Sequence, residues 1–416
     1  MSTPVFILGG AQTDFARVWS RDGLDLSDMM REATTHALAD AGVEPEAVGA
    51  IHVGNAFGEL QRGQAHLGAL VAEVVPALWG VPAMRHEGAC ASSSLAALCA
   101  MAEIEAGRCE VALVLGVEEL KNLPGDQSSR NQNAAAWVGR EDGDCRFMWP
   151  AAFGKLVHEY LQRYPALDPH ALRASLHAIA ELNYANARRN PLAQTRRWTF
   201  PEGAFSDDDA LNPVIEPGTR RLDCGQITDG ACAIVLAGEA AAREHAARRG
   251  VRLDALPRIA GWGHRNAGIG YASNIARSAG QPLVFPHLRQ AIADAWRRAG
   301  IAGLDDLDLI ETHDCFSMTE YMALDHFGFD EPGMAWRAVE RGNIAPGGRL
   351  PVNPGGGLIG GGHPVGATGA RMLLDAARQV TGRAGDTQVP GARRGATLNI
   401  GGSCATVVSF VVEAGG

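Results

Sequence analysis

None of the chain's eight cysteines forms a Cys-x-x-Cys pair, so the usual signature of a structural zinc site is missing and no metal is expected. No apolar run reaches ~18 residues without a charge or proline, so no membrane-spanning helix is expected. Aromatic residues are scarce, at 6%, which argues against a surface built from stacked rings. Positive charge is in deficit: 37 Lys and Arg stand against 47 Asp and Glu, a net charge of −10 at pH 7. Nucleic acid is therefore not expected as a partner, because phosphate contacts need a basic surface. The Gly-x-Ser-x-Gly, P-loop and His-Glu-x-x-His patterns are absent as well. Cysteine is sparse for this length, and there is no secretory leader, peroxisomal tail or prenylation motif. The chain thus reads as reduced and cytoplasmic.

What the chain has in quantity is glycine, 51 of 416 residues, the residue of tight turns and close backbone approach. Hydrophobic residues make up 46% and charged residues 20%, as expected of a folded chain. At ~100–200 residues per domain, the length suits two or three units or one large duplicated one.

Duplication is visible in the sequence. Residues 31–42 (REATTHALADAG) and 289–300 (RQAIADAWRRAG) share helical apolar spacing and a terminal Gly. Each leads through an acidic turn to a strand, Ala50-Ile51-His52-Val53 or Leu307-Asp308-Leu309-Ile310. Each half opens on a short apolar strand, Phe6-Ile7-Leu8-Gly9 or Arg258-Ile259-Ala260-Gly261. Each later carries a small-residue helix, one after Cys90 and one after His363, followed by an apolar strand at 111–115 or 396–400. The last stretch, 396–413, reads as two strands joined through Gly401-Gly402. Alternating strands and helices predict layered α/β architecture. The expected division is 1–118 as a first half, 119–222 as an inserted loop domain with its own helix near 168–189, 223–256 as a return to the first half, and 257–416 as the second half.

Cys90 sits in Glu-Gly-Ala-Cys-Ala-Ser-Ser-Ser, at the first turn of a helix. Unpaired amides and the helix dipole there are expected to lower its pKa. A buried, inert thiol is the plainer reading of a lone cysteine; Cys99 and Cys109 suit that reading better. His363 sits in Gly-Gly-Gly-His-Pro-Val-Gly-Ala-Thr-Gly. So much glycine suits a tight turn that presents an imidazole to a cavity, where it can take a thiol proton. His313 and Cys315 follow the strand at 307–310, where α/β folds gather active-site groups. Two residues apart, they point the same way in extended backbone. The Gly355-x-Gly357-x-x-Gly360 match to a dinucleotide fingerprint is read as a decoy, since Pro351 and Pro354 replace the strand it requires.

These blocks, in this order and spacing, resemble the thiolase superfamily from the first strand to residue 413, and within it the sterol-carrier-protein-type subgroup. Asp229-Gly-Ala-Cys232-Ala is similar to a further family segment. Ordinary thiolases carry Asn-Glu-x-Phe where this chain has His313-Asp314-Cys315-Phe316, and a second catalytic cysteine in a Cys-x-Gly triplet where it has Asn399-Ile400-Gly401. The resemblance implies two similar layered α/β halves (α-β-α-β-α) with a loop domain over the site, and a homodimer or homotetramer. It implies acyl-CoA and coenzyme A as substrates, with no further cofactor and no metal. The roles it carries over are nucleophile for Cys90, base for His363, acid/base thiol for Cys315 and enolate support for His313, with backbone amides of Cys90 and Gly401 as oxyanion donors. Arg188, Arg189, Arg196, Arg197, Arg220 and Arg221 are candidates to meet coenzyme A phosphates, though a solvated face is the plainer reading of any one of them. The segment Phe147–Phe153 reads first as a hydrophobic anchor and second as a cavity lining. Alternatives that stay open are a C-acyltransferase with another acceptor, an aldolase-like lyase working with a small partner protein, and a non-catalytic acyl-CoA-binding subunit.

Overall fold

The computed structural model describes residues 4–141 and 145–415. Its strands are β1 (Val5–Gln12), β2 (Ala50–Gly54), β3 (Ala83–His86), β4 (Val111–Glu118), β5 (Val214–Glu216), β6 (Thr219–Arg220), β7 (Gly230–Gly238), β8 (Arg258–Asn266), β9 (Leu309–Thr312), β10 (Arg394–Gly401) and β11 (Thr406–Glu413). Apart from the β5–β6 ribbon, they form one hydrogen-bonded sheet in the order β3-β2-β4-β7-β1-β8-β11-β10-β9.

That order contains the duplication. Outward from the central antiparallel β1–β8 pair, each side meets an antiparallel partner (β7 or β11), a second antiparallel step (β4 or β10) and then a parallel one (β2 or β9). β3 adds a parallel edge on one side only. The repeated helices cover the segments read at 31–42 and 289–300 but begin earlier, at Leu26–Ala41 and Pro286–Ala299. Each stops at a left-handed glycine, Gly42 or Gly300, where a side chain would be strained. The strand predicted at 307–310 lies two residues later, at 309–312.

Strand alternation divides the core in three. Phe6, Leu8, Leu113 and Leu115 face an outer layer with helix Leu26–Ala41. Their neighbours Val5, Ile7, Ala112 and Val114 face inward, onto helices Ser92–Glu105 and Thr368–Val380. In the second half Val408, Phe410 and Val412 share that inner layer, while Val407 and Val411 face the opposite outer one with helix Pro286–Ala299. Period-two patterning thus gives the α-β-α-β-α arrangement. Between β4 and β7 the chain adds helices Met148–Arg163 and Pro169–Ala187. These pack on helix Ser317–Phe327, where Asn183 donates to Glu320 at 2.7 Å and Tyr160 to Asp325 at 3.1 Å.

Candidate active site

Cys90 lies in the one-turn helix Ala89–Ala91 that opens helix Ser92–Glu105. Ala89 has φ of 50°, and Ser92 braces the turn by donating to the Ala89 carbonyl at 2.6 Å and accepting from Gly88 N–H at 3.1 Å. His363 precedes a matching turn, Val365–Ala367, that opens helix Thr368–Val380. Its amide donates to Thr228 Oγ1 at 2.9 Å. His313 follows β9 directly.

The two halves bring these residues to one point. Cys90 Sγ and a ring nitrogen from each of His313 and His363 lie within 4.8 Å of one another. The imidazoles meet edge-on, with centroids 5.3 Å apart and an interplanar angle of 86°. Cys315 lines the same cavity, with Thr319 Oγ1 3.7 Å from its sulfur. The Gly402 N–H, one residue beyond Gly401, reaches the Cys90 sulfur, as does the Cys90 amide itself. Gly401 itself ends β10 and is pressed against the Gly88 carbonyl.

The expected low pKa of Cys90 is reversed. The sulfur faces the cavity and Cys90 keeps partial exposure, with protein packed closely around its other sides. Lost hydration pushes the thiol up to about 12, with Glu118 and Glu87 adding to the rise; the amides of Gly402 and Cys90 only partly offset it. Burial also pushes Cys315 up, helped by the neighbouring Cys90 sulfur. Burial, reinforced by Arg371, brings His363 down to about 3. His313 is held well below the usual histidine range by burial, then by His363 and Arg371. The resting site is therefore two thiols beside two neutral imidazoles.

Hydrogen bonds select the tautomers. Ser94 donates to Asn399 Oδ1 at 2.7 Å, which turns the Asn399 amide nitrogen toward His313 Nδ1 at 3.2 Å. His313 accepts there, so its proton sits on Nε2, free to donate to an oxygen. Thr368 donates to the Pro364 carbonyl at 3.4 Å and so accepts from His363 Nδ1 at 2.8 Å. That leaves the lone pair of His363 Nε2 free to take a proton. Sequence reasoning assigned no role to Asn399, Ser94 or Thr368; the signal for Asn399 was its place in the triplet that departs from the family pattern.

Buried acids hold the surrounding loops. Asp314 accepts from Leu358 N–H at 2.6 Å and Ile359 N–H at 3.1 Å, fixing the glycine-rich loop that the decoy motif occupies. No strand of the sheet feeds that loop; Val352 makes only an isolated bridge. Glu118 accepts from Ala56, Phe57 and Gly366 N–H groups and from Asn55 Nδ2.

The cavity measures about 90 Å³ and is walled by Phe57, Leu120, Trp149, Phe153, Phe316 and Val365. Of the Phe147–Phe153 segment, Phe153 serves both expected roles, as buried core and as lining, while Trp149 lines the cavity. Arg188, Arg189, Arg196 and Arg197 line a different cleft. Arg220 is held by Asp207 and Asp209. Among the described residues, Cys90, His313 and His363 are also the one trio of ligating residue types close enough to hold a metal ion. A thiolate with two imidazoles is a set zinc accepts, at the cost of the Cys90 thiol and both imidazoles as reactive groups.

Residues 5–194 match the thiolase N-terminal domain and residues 271–414 the thiolase C-terminal domain-like family. An acetyl-CoA acetyltransferase of Methanothermobacter thermautotrophicus is 31% identical over 98% of both chains. The chain belongs to the thiolase family. Human sterol carrier protein 2 is 28% identical, over 98% of this chain and 71% of that one. Among solved structures, an Ltp2–ChsH2(DUF35) aldolase matches 99% of this thiolase-family chain with a TM-score of 0.75 at 20% identity, covering 98% of its own chain. Human mitochondrial 3-ketoacyl-CoA thiolase in complex with CoA matches all of it with a TM-score of 0.65 at 15% identity, covering 98% of its own chain. Both share the fold. Among the described residues, no helix is long and apolar enough to cross a membrane.

Proposed function

We propose that this thiolase-family protein is an acyl-CoA:acyl-CoA C-acyltransferase that forms or cleaves 3-ketoacyl-CoA through an acyl thioester on Cys90. The observation that carries the reading is the convergence of Cys90, His313 and His363 within 4.8 Å, in a cavity that Cys315 also lines.

In the proposed cycle, His363 Nε2 takes the Cys90 proton as the sulfur attacks the thioester carbonyl. Amides of Cys90 and Gly401 receive the oxyanion, and the Gly402 amide steadies the sulfur when it is anionic. The Cys315 thiol protonates the departing CoA thiolate, and CoA leaves. The resulting Cys315 thiolate takes the α-proton of a second acyl-CoA. Protonated His363, together with the Nε2–H of His313 acting through a water, holds the enolate oxygen. The carbanion attacks the acyl carbon, Cys90 departs, and His363 returns its proton. Cleavage runs the same steps backward and uses the Cys315 thiol, the form that burial favours. No cofactor beyond the coenzyme A thioester enters the scheme.

A homodimer or homotetramer is part of the reading: β3 leaves a sheet edge open, and its Met84 (42% exposed) and nearby Trp79 (75% exposed) are apolar surface that a second copy would cover. A second reading, a carbon–carbon lyase with a small partner protein, rests on the fold shared with the Ltp2–ChsH2(DUF35) aldolase. Cys90 in reach of an imidazole base favours acyl transfer.

Intact mass spectrometry after incubation with acetyl-CoA tests the proposal. An acetyl adduct on the Cys90 peptide is expected, absent in Cys90→Ala, with turnover falling about 10⁴-fold. Cys315→Ala is expected to keep the adduct and lose condensation and thiolysis. Acyl-CoA binding without an adduct would leave a non-catalytic binding subunit; full turnover in Cys315→Ala would remove its acid/base role.

A further inference from the structure

A concentration of positive charge lies away from Cys90. Six arginines, Arg188, Arg189, Arg196, Arg197, Arg378 and Arg383, line a cleft of about 570 Å³ whose carboxylates are Glu311, Asp375 and Asp386. This runs against the net charge of −10. The cleft is assembled from segments distant in sequence: the end of helix Pro169–Ala187 and the loop after it, the C-terminal part of helix Thr368–Val380, and the turn at 384–387.

Local pairing does not use up this charge. Arg196 is committed to Asp14, Arg383 to Asp40, and Arg189 to the Asn186 side chain and the Asp386 carbonyl. Arg188 and Arg197 have no side-chain hydrogen bond or ion pair among the described residues. Arg378 has only a 3.4 Å contact to the Gly10 carbonyl. Two of the three wall carboxylates, Glu311 and Asp375, share one buried cation, Arg371, which reaches each at 2.8 Å through Nη1, and burial pushes the Glu311 carboxyl up to about 8, toward its neutral form. Arg371 Nη2 is buried and has no hydrogen-bond partner among the described residues. The uncompensated groups are thus guanidinium forks, whose planar donors suit phosphate oxygens two at a time. The volume is that of a small-ligand site, too small for a nucleic-acid duplex. The cleft shares no lining residue with the Cys90 cavity.

We propose that this cleft binds a small polyphosphate, of the size of pyrophosphate or a nucleoside diphosphate, at a site separate from the acyl-transfer cavity. Calorimetric titration of the full-length protein with inorganic pyrophosphate at fixed ionic strength tests it. Saturable one-to-one binding is expected, weakened at least about tenfold in the double variant Arg188→Ala/Arg197→Ala. Both side chains are exposed, so the variant should fold, and an unchanged melting temperature checks this. Cys90 acetylation and the KM for acyl-CoA should stay unchanged in the variant. Absence of saturable binding, or undiminished binding in the double variant, overturns the proposal. So does displacement of pyrophosphate by coenzyme A together with a raised KM for acyl-CoA in the variant, which would make the cleft the seat of the substrate's own phosphates. The acetylation readout does not depend on the cleft, so loss of the acyltransferase reading and loss of this site remain distinguishable.

Discussion

The turns that open helices Ser92–Glu105 and Thr368–Val380 occupy equivalent places in the two halves and do different things. Each packs across the duplication axis. The first meets the end of β10, where Gly401 touches the Gly88 carbonyl. The second meets β4, where a Cβ on Gly116 would lie 2.5 Å from Ala367 Cα. In the first turn the central residue is Cys90, whose sulfur looks into open cavity. In the second the central residue is Gly366, where a Cβ would lie 2.7 Å from Asn55 Cα and 2.9 Å from the Val117 carbonyl. That place cannot hold a side chain, so the second half presents its reactive group three residues earlier, at His363. One frame used twice places a thiol on one side and an imidazole on the other because packing leaves a different gap on each side.

The largest expected effect tests this asymmetry. Gly366→Ala should cost about 3 kcal/mol of unfolding free energy through overpacking, whereas Cys90→Ala, at the matching place in the open turn, should shift it by no more than about 0.5 kcal/mol. Urea unfolding of the two variants decides, and equal losses would break the comparison. Next comes the hydrogen-bonded control of His313. Asn399→Ala should lower condensation and thiolysis about 10²-fold while acetylation of Cys90 stays within a few-fold. Asn399→Asp should be no better, because a carboxylate accepts where the amide donates and favours the wrong tautomer. An Asn399→Asp variant of native activity would show that tautomer choice is not what Asn399 supplies.

The smallest effect per step concerns pH. With the Cys90 thiol up at about 12, its reaction with iodoacetamide should rise about tenfold per pH unit from 7 to 9, without a plateau. With His363 down at about 3, its base form persists through the mildly acid range, so its titration should put no step in the rate between pH 5 and 7. A plateau in alkylation below pH 8 would mean that the turn's amides outweigh burial after all.

Much of this was readable beforehand for identifiable reasons. The helix at 286–299, the strand at 111–118 and their repeats follow from local periodicity and glycine caps, which need no knowledge of the rest of the chain. Cys90, His313, Cys315 and His363 stood out because each carries chemistry in a run of small residues or beside a strand end. Asn399 and Thr368 did not, because their importance is a direction of hydrogen bonding, and Ser94 and Asn399 meet across 305 residues of sequence.

By itself, then, the order of residues determined the duplicated α/β frame and marked four candidate side chains, since apolar period and residue chemistry are local properties. The sign of the Cys90 shift was decided only in three dimensions. A helix mouth read in isolation offers amides to an anion, but the folded chain also replaces much of that sulfur's water with protein, and this lost hydration is the stronger effect.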